Sequence, residues 1–169
     1  EQWLNHRNKV PTFRELLEQG IVADTIEVSA PWSKISDLYN NVVNDLNGVQ
    51  GVVMASGHSS HSYSTGTNLY FTFAAMPKDK KDMSDVYKQC WDAAMKATIK
   101  SGGSIVHHHG VGRVRREHLE EEIGIDGIKA LHKIKNALDE NGILNPGLFK
   151  LDNKKLKSNR LKTNYKPKP

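Results

Sequence analysis

Three imidazoles stand side by side at His107, His108 and His109, with Gly102 and Gly103 ahead of them and Gly110 and Gly112 behind. Imidazole is the side chain whose proton comes and goes near neutral pH, so three together point to a place where protons are held or moved. Arg115 follows closely, in a cationic stretch that reads as a helix start, where guanidinium and backbone N–H groups could hold an anion. The plain alternative is that one or two of the rings only satisfy buried backbone groups. No cysteine neighbours them and no HExxH-type spacing is present, so no dedicated metal site is expected.

A second group lies earlier, in Gly57-His58-Ser59-Ser60-His61-Ser62-Tyr63-Ser64-Thr65-Gly66. A phenol among small hydroxyl residues between two strands suits a ring that projects into a pocket. In water it titrates near ~10, so work as an acid or base would need cations or a cofactor nearby, and His58 and His61 could assist. A solvated loop tyrosine is the alternative. Arg14, on a short amphipathic helix, and the Asn145-Pro146-Gly147 turn carry no function by position alone.

The elements that must position these groups follow from periodicity. Pro11 to Gly20 reads as a short helix with Thr12 as N-cap, and Val22 to Ser29 as a first strand. Pro31 and Ser33 open a helix striped by Ile35, Leu38, Val42 and Leu46, ended by Gly48. Val49 to Ser56 is a second strand. Asn68 to Ala75 is a third, with Leu69, Phe71 and Phe73 on one face and Tyr70 and Thr72 on the other. Asp82 to Lys100 is the longest helix, and Ser104 to His107 reads as a fourth strand. The fold class expected is α+β: a ferredoxin-like βαββαβ antiparallel sheet with helices on one face. Two C-terminal helices follow, about 113–122 and 127–138, the second with Ile128, Leu131, Ile134 and Leu138 as its apolar stripe.

Composition bounds the function. The chain of 169 residues has a net charge of +5, but residues 150–169 hold eight Lys/Arg against one Asp. The remainder carries 16 basic and 18 acidic side chains, so the folded part is not a basic protein and no nucleic-acid partner is expected. The Lys-rich tail reads as a solvated end, with contact to an acidic membrane surface as its alternative use. Cys90 stands alone, which fits a reducing, cytoplasmic setting and a buried structural thiol. No apolar run is long enough to span a bilayer. The opening, Glu1-Gln2-Trp3-Leu4, starts without Met in what reads as mid-element, so a piece of a larger chain is expected.

Read together, these stretches resemble one family. His107-His108-His109-Gly110-Val111-Gly112 with Arg115, Ser62-Tyr63-Ser64-Thr65-Gly66-Thr67-Asn68-Leu69-Tyr70-Phe71, Thr25-Ile26-Glu27-Val28-Ser29-Ala30-Pro31-Trp32 and Gly142-Ile143-Leu144-Asn145-Pro146-Gly147 occur in that order in the C-terminal cap half of FAD-linked oxidases of the vanillyl-alcohol oxidase type. Within them the chain is most similar to the alkylglycerone-phosphate (alkyldihydroxyacetonephosphate) synthases, over about residues 3–149. The triple histidine discriminates: related D-lactate and glycolate dehydrogenases usually carry a Glu-His-Gly-type sequence there.

The resemblance implies FAD as cofactor, bound mainly by a half that would precede Glu1, so this chain alone is expected to hold little FAD and to be inactive alone. It implies that Tyr63, His108 and His109 are catalytic and that Arg14, His107 and Arg115 bind the substrate phosphate. His107, His108 and Asn145 would face the cofactor. The reaction implied is exchange of acyl for alkyl on dihydroxyacetone phosphate, an ether-lipid step without net redox change. A 2-hydroxy-acid oxidase or dehydrogenase is the second reading, and a non-catalytic ferredoxin-like binding module the third. The partners expected are the chain's own FAD-binding domain and a lipid-like or hydroxy-acid substrate, with peripheral membrane contact and a homodimer as further expectations.

Overall fold

The structure, a computed structural model, describes residues 13–149. Thr12, expected as an N-cap, and the Lys-rich tail lie outside the described residues. The chain divides into two compact units, Glu1–Gly103 and Ser104–Pro169.

The first unit is a three-stranded antiparallel sheet with helices packed on it. After a short helix α1 (Arg14–Glu18), the strands are β1 (Val22–Pro31), β2 (Val52–His58) and β3 (Gly66–Ala75). Their spatial order is β1-β3-β2, and β3 runs antiparallel to both neighbours. β1 and β2 are therefore parallel to each other with β3 between them, and helix α2 (Ile35–Asn47) makes the crossover, which is a split βαβ unit. Helix α3 (Met83–Lys100) packs against α2 and β1.

The register explains which side chains meet the helices. Ile26 lies opposite Phe71 and Val28 opposite Leu69, and all four are buried. With period-2 alternation, Val22, Asp24, Ile26 and Val28 share one face with Leu69, Phe71, Phe73 and Ala75. That face closes on Leu38, Val42 and Leu46 of α2 and on Cys90, Ala94 and Met95 of α3, all buried. Asp24 sits on this apolar face because its carboxylate is fully engaged: it accepts from the Tyr87 hydroxyl (2.8 Å), the Trp91 indole N–H (3.1 Å) and the Thr25 backbone N–H (2.7 Å). The opposite face is polar. It carries Thr25, Glu27 and Ser29 from β1, Asn68, Tyr70 and Thr72 from β3, and Ser56 and His58 from β2. The rings of His58 and Tyr70 stack there, 5.4 Å apart and 11° from parallel.

The second unit begins irregularly. The fourth strand expected over Ser104 to His107 does not form, so the full βαββαβ sheet is not reproduced among the described residues. Instead, the backbone groups of Ile105 are taken by side chains that folding brings to them. Its N–H donates to the Glu122 carboxylate (2.9 Å) and its carbonyl accepts from Arg115 Nε (2.9 Å), which leaves nothing for a strand ladder.

A 3-10 turn at Arg116–His118 leads into α4 (Leu119–Leu138). Gly124, at φ 72° and ψ 166°, breaks α4 in two, so two helical pieces exist, but the first begins at Leu119, not at 113 as the periodicity suggests. Their apolar stripe departs from expectation. Ile128 and Leu131 are half-buried, Ile134 is exposed, and Leu138 is 77% exposed. Among the described residues no helix is long and apolar enough to cross a membrane.

Candidate functional site

The loop between β2 and β3 holds Tyr63. A tight turn closes it, with the Tyr63 N–H donating to the Gly66 carbonyl at 2.8 Å and Ser62 bridging Thr67. Trp32, just after β1, fixes the turn from the side: its indole N–H donates to the Tyr63 carbonyl (2.9 Å) and its backbone N–H to the Thr65 carbonyl (3.2 Å). Gly66 makes this approach possible, because a methyl group there would collide with the Ala30 carbonyl oxygen. The Tyr63 side chain is 50% exposed, so the loop is held by its backbone while the phenol is presented.

Below the turn, Asn68 is fully buried and Thr67 nearly so. The Asn68 amide oxygen accepts from the His61 N–H (2.9 Å), and the Thr67 hydroxyl donates to the His61 carbonyl (2.7 Å). His61 and Tyr63 are therefore carried on a braced segment. Asn68 and Trp32 are the bracing residues of this loop to which sequence reasoning gave no role. A signal existed for Asn68: an amide at the start of an otherwise apolar strand has to find partners.

In the second unit, the histidine loop is built by its neighbours in the chain. A straight strand would have sent His107 and His109 to one face and His108 to the other. Without a strand, successive rings contact edge to face, His107 with His108 at 4.9 Å and His108 with His109 at 4.7 Å. The Nδ1 atoms of His107 and His108 lie 2.7 Å apart, so one proton sits between them: one ring donates and the other accepts. Gly110, at φ 76°, provides the reversal after the rings. Arg115 closes the loop from inside. Only 6% exposed, it donates from Nε to Ile105 and from Nη1 to the Gly110 carbonyl (3.1 Å), bracketing the histidines. Glu122, which sequence reasoning also passed over, completes the frame through Ser104 (2.6 Å) and Ile105. No local pattern marks it, because an acidic residue inside a helix is ordinary.

The other candidates sit as follows. Arg14 is exposed on α1 and pairs with Glu18 at 2.9 Å. Asn145 adopts φ 44° in its turn, a conformation asparagine tolerates well. That turn is anchored by Asp139, whose carboxylate accepts from the N–H groups of Ile143 (2.8 Å) and Leu144 (3.0 Å) and pairs with Lys135. The Lys135 hydrogen bond, aided by those two N–H groups, holds the Asp139 carboxyl below the ordinary carboxylate range against the opposing effect of burial. Beside it lies an apolar cavity of about 280 Å³ lined by Leu131, Ile134, Leu138, Leu144 and Asn145.

A family model described as FAD linked oxidases, C-terminal domain, matches residues 1–148. The chain belongs to this family. The FAD-linked oxidase C-terminal domain is 35% identical over 159 residues to the uncharacterized FAD-linked oxidoreductase YgcU of Escherichia coli (strain K12), covering 87% of this chain and 33% of the relative. It is 33% identical over 129 residues to alkyldihydroxyacetonephosphate synthase of Caenorhabditis elegans, covering 73% of this chain and 22% of that one. A solved structure of an alkyldihydroxyacetonephosphate synthase superposes with a TM-score of 0.56 at 23% identity, over 86% of this chain and 24% of the other, which supports the fold. The domain thus spans a third or less of the relatives it matches.

Proposed function

We propose that this chain is the substrate-side domain of an alkylglycerone-phosphate synthase-like flavoprotein that exchanges acyl for alkyl on dihydroxyacetone phosphate. The observation that carries the reading is the framed imidazole string His107-His108-His109, where related hydroxy-acid dehydrogenases usually have a Glu-His-Gly-type sequence. Similarity to a synthase over 73% of the chain supports it.

FAD is the cofactor of this reading, and the donor set fits the edge of a flavin ring: His107 and His108 share one proton between their Nδ1 atoms and so offer both a donor and an acceptor, and Asn145 adds an exposed amide. When bound, FAD would supply a nucleophilic ring nitrogen; the acyl group leaves as a fatty acid and the oxygen of the fatty alcohol takes its place, with no net redox change. This chain's residues do the rest. In this reading Tyr63, on its anchored turn, is the base for the substrate carbon, His108 and His109 are proton carriers, and Arg14 and His107 are phosphate ligands, as the resemblance implies. Arg115 enters the phosphate site through the loop it braces, because its own Nε and Nη1 are committed to Ile105 and Gly110. Fixing both loops before substrate arrives is the domain's share of the rate.

A second reading, FAD-dependent oxidation of a 2-hydroxy acid, is supported by the 30% identity over 129 residues to the mitochondrial D-lactate dehydrogenase (cytochrome) of Kluyveromyces lactis. The two separate in the full-length flavoprotein mixed anaerobically with D-lactate or glycolate and, separately, with acyl dihydroxyacetone phosphate plus a fatty alcohol. Ether product without lasting flavin bleaching supports the synthase; rapid bleaching by the hydroxy acid replaces it with the oxidase.

A further inference from the structure

We propose that the open apolar face at the C-terminal end of α4 is the seat for the flavin-binding half of a longer chain, which closes on it with apolar side chains of its own. The proposal rests on the reading of this chain as one domain of a larger flavoprotein, and not on the choice between synthase and oxidase. Leu131, Ile134 and Leu138 recur at helical spacing, the pattern of a buried stripe. Here the stripe is uncovered. Ile134 is 56% and Leu138 77% exposed, and the turn that follows adds exposed Ile143 and Leu144. Among these side chains lies the cavity of about 280 Å³, which Leu148 also lines. Large apolar side chains gathered around a concavity mark a contact surface.

The backbone beneath is ready to be covered. Asp139 takes the N–H groups of Ile143 and Leu144, the Lys135 ammonium donates to the Leu144 carbonyl (2.6 Å), and Arg116 donates to the Gly147 carbonyl. A partner that dries this face therefore strands none of those groups.

Four occupants compete for it. Charge disfavours a membrane: residues 126–144 hold Lys129, Lys133 and Lys135 against Asp126, Asp139 and Glu140, which leaves no net attraction to acidic lipid. Residues 150–169, with eight Lys/Arg against one Asp, suit water better than an apolar seat. A second copy must find the face by diffusion, whereas a half on the same chain meets it at an effective concentration of about millimolar. The relatives have such additional polypeptide: the chain spans 33% of the bacterial one and 22% of the synthase. The family match runs to residue 148, so the apolar face lies inside the part shared with those longer proteins and the basic stretch lies beyond it.

The test uses the full-length flavoprotein with a photoactivatable diazirine analogue of leucine at position 138. It is irradiated as an equal mixture of light and heavy isotope-labelled protein, with and without vesicles of phosphatidylcholine and phosphatidylserine. Mass spectrometry is expected to find position 138 joined to peptides of the flavin-binding half of the same chain, isotopically unmixed and unchanged by vesicles. Leu138→Asp puts a carboxylate into the covered contact and should lower the melting temperature of the full-length protein by at least about 5 °C. Leu138→Met keeps the apolar contact and should melt within about 2 °C of wild type.

Mixed light–heavy cross-links assign the face to a second copy, cross-links to lipid assign it to a membrane, and cross-links to residues 150–169 assign it to the chain's own end; each overturns the proposal. So does cross-linking confined to residues 1–149, or a Leu138→Asp melting temperature within about 2 °C of wild type, as at a surface position that touches nothing. Rapid reduction of the flavin by D-lactate would replace the synthase with the oxidase and leave the seat, which is read without any turnover, intact.

Discussion

At the scale of single residues, Tyr63 offers the sharpest kinetic expectation. Its backbone does the anchoring and its ring is half exposed, so if Tyr63 is the base proposed above, deleting the hydroxyl should remove chemistry and leave the fold. Tyr63→Phe in the full-length flavoprotein should lower turnover at least about a hundredfold, the usual worth of a general base, with an unchanged melting temperature. Both are read by steady-state assay and thermal denaturation. Cys90 gives a contrasting prediction. Burial pushes its thiol up to about 11, so the reactive thiolate is scarce near neutral pH. Iodoacetamide should leave it unmodified in the native protein and alkylate it only in denaturant, as mass spectrometry would show.

At the scale of elements, two loops are held by side chains instead of ladders. Arg115→Ala removes the bonds to Ile105 and Gly110 and leaves two carbonyls to find new partners. It should cost about 2–3 kcal/mol and speed amide exchange across residues 105–112, with the sheet unaffected. The turn after α4 depends on acid. The Asp139 carboxyl is lowered from an ordinary value of 3.8, so its contribution is fully present above that value and is lost as pH falls through its lower folded value. Amides of Ile143 and Leu144 should stay protected at neutral pH and lose protection in strong acid, while Asp139→Asn should flatten that dependence.

The elements themselves were largely legible. Leu69, Phe71 and Phe73 alternate with Tyr70 and Thr72 as a half-buried strand must, and Leu38, Val42 and Leu46 recur at helical spacing. The segment 104–107 was misread because Ile105-Val106 is apolar and β-branched, which signals burial without saying what the backbone will bond to. Glu122, seventeen residues on from Ile105, decided that.

At the scale of the whole molecule, the domain spans 33% of its bacterial relative, and its chemistry is expected only with the flavin half attached. The purified 169-residue chain, incubated with FAD and passed over a sizing column, should emerge without visible flavin absorbance. Firmly bound flavin would place the cofactor's main contacts in this domain and change the division of labour proposed above.

By itself, the sequence determined the α+β class, the split βαβ order and the core faces of the first unit, because periodicity and propensity are local properties that a few neighbouring residues express. Its motif order also determined the family. Only the tertiary structure decided that residues 104–107 are framed by Arg115 and Glu122 and that buried Asn68 meets the backbone N–H of His61. Those outcomes turn on hydrogen bonds between groups brought together by folding, and a buried donor or acceptor takes whichever partner the fold supplies.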